Sequence, residues 1–364
     1  MKKAFFSIYA ILAGFCLNAQ TPGTYEVPFP KPLKTLPDTV TVRIIGDVMM
    51  HSRQLPYDYG TFLEHVSEPL RNADISIGNM EFSLGGEPYS GYPAFSCPDS
   101  YPWTLAEQCG FDVFLLANNH ILDRGNAGLS RTFRIYDNIT DSLGVRVTGA
   151  SRNSDENEST YPLTLLRKGI RISFINFTYG TNMGGSSDAW PKVNRMKEED
   201  VAAAFRRARE RESDFIVALP HWGSEYQLRH SRNQEEWAGK LAGYGADVIV
   251  GAHPHVVQDT THINGVPVIY SMGNAVSNMS ATNTRLELMV TLRFVHNPVT
   301  HEKTMLEPEL QFMWCTLPGM LRDTYSTILL KDWTTRESEW SNYGDFENML
   351  QTYRRVKSAT GIED

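Results

Sequence analysis

The 364-residue chain carries 34 basic and 42 acidic residues, a net charge of −8, with 41% hydrophobic and 21% charged side chains. That is ordinary globular composition, enough for one large α/β domain with an appendage or for two domains, and it excludes a disordered chain. The acidic balance disfavours a nucleic-acid backbone binder and simple electrostatic capture of a polyanion, although a local cationic metal site overrides net charge.

The chain opens with Met1-Lys2-Lys3, an apolar run over 4–17, and Asn18-Ala19-Gln20. A charged start, a short apolar core and a small-residue exit mark a secretory signal over 1–19, cleaved after Ala19. The run is short for a bilayer span, and no later segment reaches that length. Cys16 follows Phe15, where a lipid-modification signal wants a small residue, so export to the periplasm or the extracellular space is expected ahead of anchoring. Losing Lys2 and Lys3 leaves 32 of the 34 basic residues against 42 acidic ones, a net charge of −10. Cys97, Cys109 and Cys315 then remain; Cys97 and Cys109 are the nearest candidate pair for a disulfide, but the odd count argues against a disulfide framework. None sits in a Cys-x-x-Cys pair, which leaves any metal site to His, Asp, Glu and Asn.

Residues 20–38, rich in proline, read as an extended lead-in. From 39 onward, five apolar strand-like runs each end close to a side chain that can bind a metal or move a proton. They are 41–45 before Asp47, 73–77 before Asn79 and Glu81, 112–116 before Asn119 and His120, 214–219 before His221, and 247–250 before His253 and His255. Helical stretches at 59–71, 103–109, 127–143, 198–211 and 234–244 alternate with the strands, the pattern of a mainly parallel sheet covered by helices.

Two hairpins interrupt this alternation. Residues 163–167 and 171–177 flank Lys168-Gly169-Ile170, and 256–262 and 266–270 flank Ile263-Asn264-Gly265, whose Asn-Gly suits the turn. Strand formers at 286–294 and 305–314 continue the antiparallel character, so a second sheet packed on the first is expected. The main domain is read as 39–300. Residues 301–364 form a strand and helix extension packed on it, with a helix near 343–357 and no residues that connect to chemistry.

In an open α/β sheet the carboxyl ends of the strands lie side by side, and ligands bind outside them. The five strand ends therefore converge on one site. Divalent ions take carboxylate oxygen and imidazole nitrogen together, which Asp47, Glu81, Asn119, His221, His253 and His255 provide. Six ligands exceed one tetrahedral site, so two metals are expected, with Glu81 as the bridge. Paired ions activate a shared water and clamp a displacement, which makes hydrolysis the natural reaction class. Gly46 before Asp47 suggests a sharp turn of the backbone, and His253-Pro254-His255 suggests two imidazoles on one side of an extended segment.

Six blocks resemble the bacterial capsule-synthesis proteins of the CapA, or poly-γ-glutamate biosynthesis, type within the calcineurin-like metallophosphoesterase superfamily. They are Gly46-Asp47-Val48-Met49-Met50-His51, Gly78-Asn79-Met80-Glu81, Ala117-Asn118-Asn119-His120-Ile121-Leu122-Asp123-Arg124-Gly125, His221-Trp222-Gly223-Ser224-Glu225-Tyr226, Gly251-Ala252-His253-Pro254-His255-Val256-Val257-Gln258 and Ser271-Met272-Gly273-Asn274. The resemblance implies a four-layer α/β/β/α sandwich with two mixed sheets and a dinuclear centre of Mn, Fe or Zn. It implies Asp47 as a first-metal ligand, Glu81 as the bridge, Asn119 as a second-metal ligand, and His221, His253 and His255 as the remaining imidazoles, with His120 as proton donor to the leaving group. Asp123 is a candidate to orient His120, Glu225 a candidate acid or base, and Trp222, Tyr226 and Asn274 candidate pocket walls or substrate contacts. His51 lies four residues after Asp47 instead of the superfamily's two, a possible metal ligand or a residue behind one. Glu81 stands where an aspartate is usual.

Three readings follow. The first is an exported metal-dependent hydrolase acting on a phosphoester or amide-like bond in a small molecule or an exported polymer. The second is a non-catalytic accessory protein that binds polymer in capsule synthesis or export. The third is a metal-dependent epimerase. A full ligand set favours catalysis over a decayed binding module.

Overall fold

The computed structural model describes residues 37–184 and 189–363. The expected leader and nearly all of the lead-in lie outside these described residues. In chain order the first elements are β1 (Asp38–Val48), α1 (Glu64–Arg71), β2 (Ile75–Met80), α2 (Ser100–Cys109), β3 (Val113–Leu115), α3 (Gly125–Leu143) and β4 (Arg146–Thr148). Next come β5 (Ala150–Ser151), α4 (Ser154–Thr160), β6 (Leu163–Arg167), β7 (Ile170–Thr178), β8 (Lys192–Val193), α5 (Glu198–Glu210), β9 (Phe215–His221), α6 (Arg232–Tyr244) and β10 (Val248–Val250). The chain finishes with β11 (Thr260–Ile263), β12 (Val266–Ile269), β13 (Leu286–His296), β14 (Lys303–Met305), β15 (Glu309–Thr316), β16 (Ser326–Leu329), α7 (Leu330–Trp333) and α8 (Tyr343–Thr360).

Two large sheets result. One runs β16-β15-β13-β1-β2-β3-β4 with β14 paired to β13, the other β11-β12-β10-β9-β7-β6. Both are mixed. β1 to β4 are parallel neighbours, but β13 pairs antiparallel with β1 on one side and with β15 on the other. In the second sheet β7, β9, β10 and β12 run parallel, and the two hairpins add antiparallel edges at β6 and β11. The antiparallel strands late in the sequence therefore complete the first sheet, and the second sheet is built mostly of parallel strands. Both hairpin turns carry the positive φ that a two-residue turn requires, Lys168-Gly169 in one and Asn264-Gly265 in the other.

Alternation along the strands sorts side chains into layers. From β7, Ile170, Ile172 and Phe174 point between the sheets with Val40, Val42 and Ile44 of β1 and Val217 of β9. Ile175 and Phe177 point the other way, toward Val201, Ala204 and Phe205 of α5 and Leu241 of α6. On the far face of the first sheet, Ile45 and Phe114 meet Val66 and Leu70 of α1, Leu105 of α2 and Phe133 of α3. This is the four-layer α/β/β/α sandwich expected from the resemblance. α8 lays Phe346, Met349 and Val356 into the inter-sheet core beside Phe312 and Ile328, and a bidentate Arg285–Asp345 pair ties its first turn to the start of β13.

Cys97, Cys109 and Cys315 are buried free thiols, so the candidate Cys97–Cys109 bridge is not formed. Among the described residues no helix is long and apolar enough to cross a membrane.

Candidate metal centre

The parallel strands of both sheets end at one edge of the sandwich. β1 delivers Asp47, opposite Asn79 of β2 in the strand register, and Glu81 follows β2 directly. Asn119 lies four residues beyond β3, His221 is the last residue of β9, and His253 and His255 follow β10. All six expected ligands are buried.

Gly46 permits a close approach rather than a sharp turn. It sits inside β1 at an irregularity in the register with β2, and a Cβ there would lie 2.1 Å from the carbonyl oxygen of Gly273. The Gly46 N–H donates to Glu287 Oε1 at 2.6 Å and the Asp47 N–H to the Gly273 carbonyl at 3.0 Å. The His253-Pro254-His255 segment also differs from expectation. It is a turn, not an extended segment, with φ of 99° at His253 and 58° at His255. Such values are uncommon for non-glycine residues and collect at functional sites. Here the turn folds both imidazoles back over the strand end, and Asp47 Oδ2 accepts the His253 N–H at 3.1 Å.

The six side chains converge. His221 Nε2 lies 2.7 Å from Asn119 Oδ1 and 3.6 Å from Glu81 Oε1, and its Nδ1 lies 3.9 Å from Asp47 Oδ1. His255 Nδ1 lies 3.4 Å from Asp47 Oδ2 and 3.9 Å from Glu81 Oε2. Three groups place one ligand atom from each member within 4.8 Å of the others: Asp47 with Glu81 and His255, Glu81 with His221 and His253, and Glu225 with His253 and His255. Glu81, His253 and His255 each belong to two of them. Among the described residues no such group contains His51. It faces the cleft in front of the centre, with Nδ1 accepting the Asn278 N–H at 3.2 Å and burial pulling its pKa down to about 4.

Electrostatics define what the centre wants. Among the described residues no donor reaches either oxygen of Glu81 in hydrogen-bond geometry, and His253 Nδ1 likewise has no partner. Burial and the neighbouring Asp47 carboxylate push the Glu81 carboxyl well up. Burial would raise Asp47 too, but the hydrogen bond from His255 and the nearby imidazoles outweigh it and hold its pKa at about 2. Burial pulls His221 down to about 3, which keeps the imidazole neutral, its ligating form. Unpartnered buried acceptors cost several kcal/mol unless something supplies positive charge. Divalent cations bound by oxygen and nitrogen fit this donor set.

Beside the centre, His120 donates from Nδ1 to Asp123 Oδ2 at 2.6 Å, and the edge of the Phe95 ring packs against the imidazole. Its Nε2 faces Asn182 at 3.4 Å. Glu225 and Tyr226 line the cleft, which has a volume of about 730 Å³. Asn274 reaches the centre from behind, with Oδ1 2.8 Å from His255 Nδ1 and its amide donating to the Thr284 carbonyl. It positions His255. Trp222 corrects the expectation of a pocket wall: it is fully buried, donates to the Tyr270 carbonyl at 2.9 Å and stacks on that ring.

Four residues joined the site without having been assigned a role in it. Asn79 donates to Asp47 Oδ1 at 2.6 Å, and Tyr179 packs its ring 4.6 Å from that of His253. The strand-end rule names Asn79, whereas Tyr179 follows β7, whose residues the sequence reading places in a hairpin, so the rule does not reach it. Asn182 belongs to a loop without periodicity. Glu287 lies on antiparallel β13, where the only signal was a carboxylate between Leu286 and Leu288.

The sandwich and the carboxylate–imidazole cluster at its strand ends define a calcineurin-like metallophosphoesterase fold. More narrowly, the model of the family described as bacterial capsule synthesis protein PGA_cap matches residues 41–279. The chain belongs to that family. Over 267 residues it is 28% identical to the capsule biosynthesis protein CapA of Bacillus anthracis, an alignment that covers 70% of this chain and 63% of that protein. It is 26% identical over 289 residues to the PGA biosynthesis protein CapA of Bacillus subtilis strain 168, covering 73% of each. Among solved structures it is similar to the NAD nucleotidase of Haemophilus influenzae, with a TM-score of 0.48 and 12% identity over 89% of this chain and 64% of that one. A 5'-nucleotidase precursor of Thermus thermophilus gives a TM-score of 0.46 and 13% identity over 88% of this chain and 59% of that one.

Proposed function

We propose that the protein is an exported metal-dependent hydrolase that acts on a phosphoester or amide-like bond at a centre of two divalent ions. One observation carries this reading: Glu81 is buried between Asp47 and three imidazoles, and among the described residues no donor reaches either of its oxygens. Asp47, Glu81, Asn119, His221, His253 and His255 would hold the ions, with Glu81 shared between them. Ions so held supply charge at the reacting oxygens and an activated water.

The chain's own groups do the rest. Asp123 fixes the His120 imidazole so that Nε2, not Nδ1, faces the cleft. When the imidazole is protonated, Nε2 delivers its proton to the leaving group as the scissile bond breaks, and the neutral imidazole is left hydrogen-bonded to Asp123. Asn274 keeps His255 aimed at the centre. Glu225, on the open side, is placed to accept a proton from an incoming group.

Two variants test the division of labour. His221→Ala lowers bound Mn, Fe or Zn, measured by mass spectrometry of the metals. His120→Ala keeps the metals and lowers turnover on a panel of phosphodiesters, phosphomonoesters and γ-glutamyl substrates by about 10²–10⁴-fold. Equal metal loss in both contradicts the assignment.

A further inference from the structure

The rim of the cleft is built from rings and thioethers. Tyr92 is 76% exposed, Met183 46%, Tyr179 46% and Tyr226 44%, four of the eleven large apolar side chains exposed among the described residues. Tyr92, Met183 and Tyr226 line the cleft, and Tyr179 packs on His253 at the centre. Large exposed apolar side chains gathered at one place mark a binding surface, whereas scattered ones do not.

The segments that carry them are tied to the site by backbone bonds. Tyr92 rides a loop closed by reciprocal Ser90–Ser96 backbone bonds, and Asp123 Oδ2 accepts the Phe95 N–H of that loop at 2.8 Å while it also accepts from His120. Met183 follows Asn182, whose N–H donates to the Asn119 carbonyl at 2.8 Å. The Tyr226 N–H donates to the Pro254 carbonyl at 2.9 Å, with φ of 65° and its ring 6.3 Å from that of His255. Three loops thus bring a ring or a thioether to the opening, each pinned beside a residue of the centre.

The fixed charge on the open side of this rim is negative, beside the three imidazoles His51, His120 and His255. Apart from imidazoles, the charged side chain among the described lining residues is Glu225. We propose that the rim selects a substrate whose groups next to the reacting bond are uncharged rings, held by stacking, and rejects a run of carboxylates or phosphates. The inference takes the hydrolase reading as its base, since the cleft in front of the ions is where the substrate would lie. One anionic group at the reacting bond meets the ions and the imidazoles; a further anion on the open side would face Glu225 or the rings of Tyr92 and Tyr226, where like-charge contact and lost solvation both oppose it. An uncharged ring instead gains dispersion and offset stacking against tyrosine and methionine.

The test uses the full chain reconstituted with Mn²⁺ and isothermal titration calorimetry, which needs no turnover. Phenylphosphonate and methylphosphonate carry the same charge and differ in the ring; tripolyphosphate and an oligo-γ-glutamate supply repeated charge. Phenylphosphonate should bind about tenfold more tightly than methylphosphonate, the value of one good aromatic contact. Tyr92→Ala, a change at an exposed position, should lower that ratio to about threefold or less. Oligo-γ-glutamate should bind more weakly than phenylphosphonate, and Glu225→Lys should strengthen it. Equal binding of the two phosphonates, no binding of either, or tighter binding of oligo-γ-glutamate by the unaltered protein overturns the inference. Absence of turnover on every ester and amide with both ions bound would instead defeat the hydrolase reading and leave the ring preference standing on its own data.

Discussion

Asp123 shows how much one carboxylate can fix. Its Oδ2 takes the Nδ1 proton of His120 and the N–H of Phe95, so the proposed proton donor and the loop that carries Tyr92 share one anchor. Removing the charge but not the shape exposes the first of these roles. Asp123→Asn is expected to retain its metals and lower turnover about 100-fold or more, because an amide does not hold the required imidazole tautomer or stabilise its protonated form. Metal analysis beside steady-state kinetics checks it, and metal loss in step with activity would count against the role. Asp123 was legible in the sequence only through its place in a family block. Glu287 was not legible, because its neighbours Leu286 and Leu288 face the inter-sheet core while it faces the other way toward Gly46.

Among the elements, the strand ends were the legible part and the turns after them were not. Apolar runs before Asp47, His221 and His253 became β1, β9 and β10, since a short apolar run bounded by turn signals reads as a strand buried on both faces. The path beyond β10 depends on contacts from another part of the chain, the Asp47 carboxylate that accepts from His253, and nothing local announces the left-handed backbone at His253 and His255. The same applies at Gly46, where the reason for glycine is the Gly273 carbonyl, far away along the chain. Gly46→Ala should therefore strain β1 against Gly273 and cost about 1–3 kcal/mol, read as a lower midpoint in urea, together with weaker metal retention because Asp47 is displaced. Unchanged stability would mean the strands separate freely there. α8 offers a second test. Arg285 and Asp345 are 8% and 6% exposed, so Asp345→Ala leaves a buried guanidinium unpaired and should cost about 3–5 kcal/mol, whereas a loss near zero in urea unfolding would show that α8 is dispensable to the core.

For the molecule as a whole, the two-sheet architecture was readable because helices alternate with strands in one stretch and Asn-Gly-type hairpins mark another. Which strand joins which sheet was not. β13 pairs with β1 from the far end of the domain, a long-range pairing that no local pattern announces. The parallel strands of both sheets end at one edge, where the candidate ligands from β1, β9 and the turns after β2 and β10 meet. The central claim is that this edge holds two ions. Metal analysis of the full chain after reconstitution with Mn²⁺, set beside Glu81→Ala, tests it most directly. Two ions per chain in the unaltered protein and at most one in the variant is the predicted result; no retained metal, or the same content in both, would contradict it.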